Sequence, residues 1–267
     1  MNKIFDALLK ESQFTKELFD AGYEQIGKAN YAQRGIYFQA FTSLSTGLER
    51  IGKLCLILDF MGKNNGNLPS DNYMKTEIGH DINILYNKSQ IVLADYSFTL
   101  SNLQNLNEII YIKILNILSR FGKGDRYSNI DLIVNTRNYK DPINVWYKDV
   151  DLDIYKNNIK ESKKEYIKVI SKFIDPLISE YTSVVHTSED EKDIDSVYQS
   201  SIQANINAVV VPYRRLYVFR IIRYFVELLE KLQYHLHDNG IQVPYFSEIF
   251  CVYSMDEYYI KRRKTLV

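Results

Sequence analysis

The sequence predicts an all-α protein, a helical bundle of about seven helices. Apolar residues recur at steps of three and four along several long stretches, and capping or breaking residues stand between those stretches. Gly and Pro are scarce, at 11 and 5 of 267 residues, which argues against collagen-like, linker-like or broadly disordered character.

The clearest element lies over residues 37–58, where Tyr37, Phe41, Leu44, Leu48, Ile51, Cys55 and Leu58 share one helical face and Glu49 and Lys53 form an i,i+4 pair. Before it, Ile4, Phe5, Leu8, Leu9, Leu18 and Phe19 predict a first amphipathic helix, with Gly22 and Gly27 separating the two. Residues 62–71, rich in Asn and Gly and carrying Pro69, read as a loop. A third helix is expected to open near Gly79-His80-Asp81 and to turn Ile82, Leu85, Tyr86 and Val92 inward. Ser101 and Gln104 match a capping box, whose side chains satisfy the unpaired N–H groups of a helix start. The fourth helix would carry Leu103, Leu106, Ile110, Ile114, Ile117 and Phe121 to a stop at Gly122-Lys123-Gly124, where left-handed backbone is permitted.

Residues 125–140 have β-branched side chains with only weak periodicity, and Asp141-Pro142 reads as an N-cap followed by proline at the first helical position. Residues 153–185 form another helical pattern, which Pro176 should kink or divide by removing a donor and crowding the preceding turn. The acidic run Ser188-Glu189-Asp190-Glu191-Lys192-Asp193 reads as a solvated connection. A last long pattern over 195–238, interrupted at Pro212, places Leu216, Phe219, Ile222, Val226 and Leu229 on one face and closes at Asn239-Gly240. The expected organisation is a helical core over 1–185, an acidic linker over 186–194, and a long helix with its tail over 195–267 packing on that core.

Thirty-three basic and 33 acidic side chains give a formal charge of zero. The global positive field of non-specific nucleic-acid binders is therefore missing, and any such binding falls to a local patch. Cys55 and Cys251 both stand in apolar surroundings and read as small buried hydrophobes, not as a disulfide framework. With no signal-like apolar stretch and no run of 18 apolar residues, the expectation is a cytoplasmic protein without a membrane partner. Tyrosine is abundant at 22 copies, and its apolar ring with a polar tip suits half-buried faces and interfaces.

Several motifs fail on their own chemistry. Gly47 to Lys53 opens like a phosphate-binding loop, but Leu54 replaces the magnesium-binding Ser or Thr, and the segment lies inside a helix whose N–H groups are already used. Asp149, Asp151 and Asp153 open like a calcium loop, yet Ile154 takes the place of the turn glycine and Lys160 that of the closing glutamate, leaving a solvated acidic turn. His235 and His237 would point about 200° apart on a helix and cannot chelate one metal. The sequence implies no metal and no cofactor. On the last long helix Tyr213, Tyr217, Arg220, Tyr224, Glu227 and Lys231 recur at steps of three and four. Such a stripe could stack bases and clamp phosphates. Its acid and the neutral chain favour an internal or inter-subunit face instead, with Arg223 pairing to Glu227.

Two segments together resemble the HEPN superfamily of helical domains, whose members include ribonucleases and toxins of bacterial defence systems. Tyr37-Phe-Gln-Ala-Phe-Thr-Ser-Leu-Ser-Thr-Gly-Leu-Glu49-Arg50-Ile-Gly-Lys53-Leu resembles the early family helix that carries an acidic residue followed by Lys, and Gly79-His80-Asp81-Ile82-Asn-Ile-Leu85 resembles the opening of the next helix. The resemblance covers about residues 30–140 and implies a HEPN-like core with added C-terminal helices, a defence or RNA context, and a homodimer. The family's catalytic signature is Arg, a polar residue, a short gap and His. Arg137-Asn138 matches its beginning, but Pro142, Ile143 and Asn144 stand where the histidine should fall, which implies absent or degenerate metal-independent ribonuclease activity. The candidate catalytic set is Arg137, Asn138 and His80, the last replacing the lost in-line base from another helix. Arg126, Tyr127, Tyr217, Arg220 and Tyr224 are the candidate RNA or nucleotide contacts. The alternative function is a non-enzymatic interaction or oligomerisation module that uses the Tyr/Arg-rich helix to hold itself or a partner protein.

Overall fold

A computed structural model describes residues 3–136 and 140–266. Its α-helical segments are α1 (Lys3–Lys28), α2 (Arg34–Lys63), α3 (Asp71–Tyr73), α4 (Ile82–Asp95), α5 (Ile109–Lys123), α6 (Ser128–Ile133), α7 (Pro142–Trp146), α8 (Leu152–Asn158), α9 (Glu161–Ile178), α10 (Val197–Asp238), α11 (Phe246–Ile249) and α12 (Glu257–Ile260). The all-α bundle is as expected, and the helices outnumber seven because short segments fill the connections. One of these connections is a π-helical turn, Tyr147–Asp151, between α7 and α8. A two-residue antiparallel hairpin, β1 (His186–Thr187) with β2 (Asp193–Ile194), pairs His186 with Ile194 and Thr187 with Asp193.

The face read over residues 37–58 lies wholly in the core: Tyr37, Phe41, Leu44, Leu48, Ile51, Cys55 and Leu58 are all buried. Burying one such side chain contributes about 1.5–3 kcal/mol, so α2 is the spine against which α1, α4, α5 and α10 pack. The face of Leu216, Phe219, Ile222, Val226 and Leu229 is also buried, and α10 touches α1, α2, α5, α8 and α9. The long C-terminal helix is thus itself part of the core.

Boundaries depart from expectation where a distant group overrules a local signal. Gly22 and Gly27 lie inside α1 and separate nothing; a Cβ on Gly22 would stand 2.6 Å from Leu44 Cγ, and one on Gly27 would overlap the Arg215 guanidinium. These glycines permit close approach between helices, and the break falls at Asn30, whose Oδ1 accepts from Ala32 N at 2.9 Å and Gln33 N at 3.2 Å. The capping box does not form. Glu227 of α10 takes the Ser101 N–H at 2.7 Å and the Asn102 N–H at 3.3 Å, while Gln104 turns back to Leu100 N and Phe98 O, and α5 starts only at Ile109. Its end at Gly124 has φ 167°, which is extended backbone and not the left-handed form expected.

Neither internal proline divides its helix as expected. Pro176 sits in the last turn of α9, and the division falls earlier, at Ile159 and Lys160; α10 runs 42 residues straight through Pro212. A helical proline costs about 3 kcal/mol, which the buried residues flanking Pro212 more than offset. Asn239-Gly240 closes α10 as read: Gly240 has φ +73° and Ile241 N–H reaches Leu236 O at 2.9 Å. The acidic run is not simply a solvated connection, because Ser188 and Glu189, in the loop joining β1 to β2, are buried. Asp151 is buried too, and Cys251 is exposed where a buried thiol was expected.

Candidate functional site around His80

Gly79, at φ +70°, ends the π-helical Met74–Ile78 and leaves His80 one residue ahead of the α4 cap. Asp81 is that cap, accepting from Asn83 N at 2.9 Å. The His80 side chain is 74% exposed, and its Nδ1 stands 2.7 Å from Glu49 Oε1 on α2. Lys53 Nζ lies 2.7 Å from the same oxygen and 2.9 Å from Nδ1. A nitrogen that donates its proton to Oε1 has no lone pair left for Lys53, so the short Lys53–His80 approach follows from a shared acceptor. With Nδ1 committed, Nε2 across the ring is the nitrogen left to exchange a proton with a substrate.

The carboxylates here are held ionised. Partial burial works against the charged form of Glu49, but hydrogen bonds from Lys53 and His80 outweigh it and bring its pKa below the ordinary value. Asp81 is likewise lowered: burial opposes, while Lys123, Ser119 and the Asn83 N–H prevail. Ser119 Oγ donates to Asp81 Oδ1 at 2.7 Å, and the Lys123 ammonium pairs with Oδ2. Two clusters therefore meet at the start of α4 through the adjacent residues His80 and Asp81: the exposed imidazole with Glu49 and Lys53 of α2, and the Asp81 carboxylate with Ser119 and Lys123 of α5.

The other candidates are placed unequally. Arg137 and Asn138 lie outside the described residues. Arg126 and Tyr127 occupy the exposed turn after α5, three residues beyond Lys123, with the guanidinium 5.1 Å from the Tyr127 ring centroid. Tyr217, Arg220 and Tyr224 are drawn into the fold. Arg220 makes a two-point pair with Glu257 at 2.8 and 2.6 Å and also reaches Tyr111 OH at 3.1 Å. Tyr224 is 1% exposed and its hydroxyl meets Ser89 Oγ at 2.8 Å; Tyr217 OH accepts from Asn158 at 3.1 Å. The stripe is an internal face, although not through an Arg223–Glu227 pair: Arg223 donates to Asn102 Oδ1 and Met255 O, both at 2.6 Å.

A second polar centre escaped the sequence reading. Arg214, 1% exposed, grips both oxygens of buried Asp151 at 2.9 and 2.6 Å and spends its other donors on Ile26 O, Ala29 O, Tyr37 OH and Asn207 Oδ1. Burial would lower the arginine pKa, but the Asp151 charge prevails and raises it. Tyr37 OH lies 3.3 Å from Glu189, whose other oxygen accepts from Gln203 at 2.7 Å. Burial pushes the Glu189 carboxyl up and the nearby Asp151 charge adds to it. Gln203 in turn accepts from Tyr147 OH at 3.1 Å and lines a cleft of ≈ 440 Å³ with Tyr155, Lys168, Tyr198 and Ile206. An aspartate within an acidic triplet and an arginine just after Pro212 were the visible signals; no spacing joins them.

Among the described residues, no three His, Cys, Asp or Glu side chains could hold a metal ion, and no helix is long and apolar enough to cross a membrane. No protein-family model matches the chain, and comparisons with curated proteins and with solved structures give no match.

Proposed function

We propose that this chain is a HEPN-like helical protein that binds RNA or a nucleotide at the His80 face, with degenerate ribonuclease activity. One observation carries the reading: His80 stands exposed with Nδ1 on Glu49, beside Lys53, in the two segments that resemble the family. Lys53 and Lys123, each paired with a carboxylate, are the ammonium groups that a phosphate would engage in competition with Glu49 and Asp81, and the exposed Arg126 and Tyr127, next along the chain, add a guanidinium and a stacking ring. Without the in-line histidine, His80 Nε2 is the base that would take the proton from a ribose 2′-hydroxyl as that oxygen attacks the neighbouring phosphorus. The P–O5′ bond breaks as the 2′,3′-cyclic phosphate forms, and the leaving 5′-oxygen takes its proton from water, in a step that calls on no metal.

Labelled mixed RNA incubated in EDTA with the protein, and with its His80→Ala variant, tests this. Retention on the protein is expected, with slow shortening or none, and any shortening disappears in the variant. Absence of retention at low salt sinks the proposal, and shortening that survives in His80→Ala removes histidine from the reaction.

A further inference from the structure

The cleft of ≈ 440 Å³ beside Gln203 is walled by α8, α9, α10 and the β1–β2 hairpin, and it shares no residue with the His80 face. Its volume falls in the range of small-molecule sites. Gln199, Ile202, Gln203 and Ile206 follow helical spacing, so one face of α10 forms a wall. Ile194 and the rings of Tyr155 and Tyr198 add apolar surface, and such a lining suits a compact hydrocarbon body. The polar groups there are acceptors. Tyr147 OH gives its proton to Gln203 Oε1 at 3.1 Å, which leaves the hydroxyl oxygen only lone pairs to offer. Asp190, whose side chain is 8% exposed, accepts from Ser188 Oγ at 2.5 Å and from Lys192 Nζ at 2.6 Å.

The field in the cleft is that of its acids. Burial opposes the charged form of Asp190, but hydrogen bonds from Lys192 and Ser188 outweigh it and hold the carboxyl below its ordinary pKa. Burial also pushes the Tyr147 hydroxyl up to about 12, against the Gln203 hydrogen bond and together with the charges of Glu189, Asp190 and Asp151. Both lysines of the lining are already paired, Lys192 with Asp190 and Lys168 with Glu165 at 2.7 Å. Lys192 is 80% exposed on a flexible stem, so another ammonium can take its place on the buried carboxylate. We propose that the cleft binds a small organic amine, its ammonium on Asp190 and the Tyr147 oxygen and its apolar body against Tyr155, Tyr198, Ile202 and Ile206. A carboxylate of the same size would have to draw Lys192 off Asp190 and would meet an acceptor at Tyr147. The proposal does not depend on RNA binding.

Calorimetric titration of the full chain at neutral pH with phenethylamine and with phenylacetate, which carry opposite charges on the same ring, tests the site. Phenethylamine is expected to bind, and phenylacetate to bind about tenfold more weakly or not at all. Lys192→Gln removes the competing ammonium from an exposed position, so its melting curve should match the wild type. It should tighten phenethylamine by about two- to fivefold, the scale of an exposed ion pair, which a damaged fold would not do. Asp190→Asn should weaken the amine by about tenfold. Wild-type protein that fails to bind phenethylamine, or binds phenylacetate as tightly, overturns the proposal. So does a Lys192→Gln variant that binds the amine no better than the wild type.

Discussion

At the scale of single residues, Arg214 and Asp151 show how a buried charge becomes tolerable. Every guanidinium donor group has an acceptor, and Asp151 accepts from Trp146 Nε1 at 3.1 Å as well as from the arginine. Removing one partner strands the other without water, so Asp151→Asn is expected to destabilise the chain by about 3–5 kcal/mol in a denaturant titration. Asp151→Leu combined with Arg214→Met removes both charges and should lose less than the single change. Glu189 adds a pH dependence of its own. Its folded pKa is raised by burial, so the stability it contributes is full below the ordinary carboxylate range and is lost as pH rises through the raised value. Glu189→Gln should melt with the wild type at the acid end and above it once Glu189 has to ionise; a constant offset at all pH values contradicts this. His80 was legible as a residue at a helix start, yet its pairing with Glu49 was not, because 31 residues separate two groups that only the α2–α4 contact brings together.

At the scale of elements, local periodicity was readable wherever packing agreed with it. The faces of α2 and α10 fell as the three-and-four spacing predicts, and Asp141-Pro142 opens α7 with Asp141 Oδ1 on Ile143 N at 2.9 Å. Misreadings cluster where long-range contact overrides a short signal. Glu227 disarms the Ser101 cap from 126 residues away, and α10 absorbs Pro212. Gly22 and Gly27 belong to the same class, since each sits inside α1 and admits a side chain from a facing helix: Leu44 of α2 and Arg215 of α10. An alanine normally favours a helix over glycine by about 1 kcal/mol. Here the new methyl on Gly22 would meet Leu44 Cγ at 2.6 Å, and overpacking of that kind costs about 1–3 kcal/mol. Gly22→Ala should therefore fail to stabilise and should lower the melting temperature; a gain would show that α1 and α2 can separate without loss.

At the scale of the whole molecule, zero net charge and a charged local face have to be read together. The acidic and basic side chains balance overall, so nothing draws a polyanion to the surface at random. Of the Tyr/Arg residues on the last long helix, Tyr224 is buried and Arg220 is tied to Glu257, so the internal face favoured over a base-stacking stripe is what the fold adopts there, while His80 remains exposed. Composition revealed the balance but not the sorting, because which tyrosines face inward depends on helices far apart in sequence. The central claim is that phosphate is held by Lys53 and Lys123 beside His80. It is tested most directly by measuring single-stranded RNA affinity against salt for the wild type and for Lys53→Ala with Lys123→Ala. Each lost phosphate contact should flatten the log–log slope by about 0.7, so the double variant is expected to bind more weakly at low salt with a slope shallower by about 1.4. Equal affinity and equal slope in the two proteins would contradict the claim.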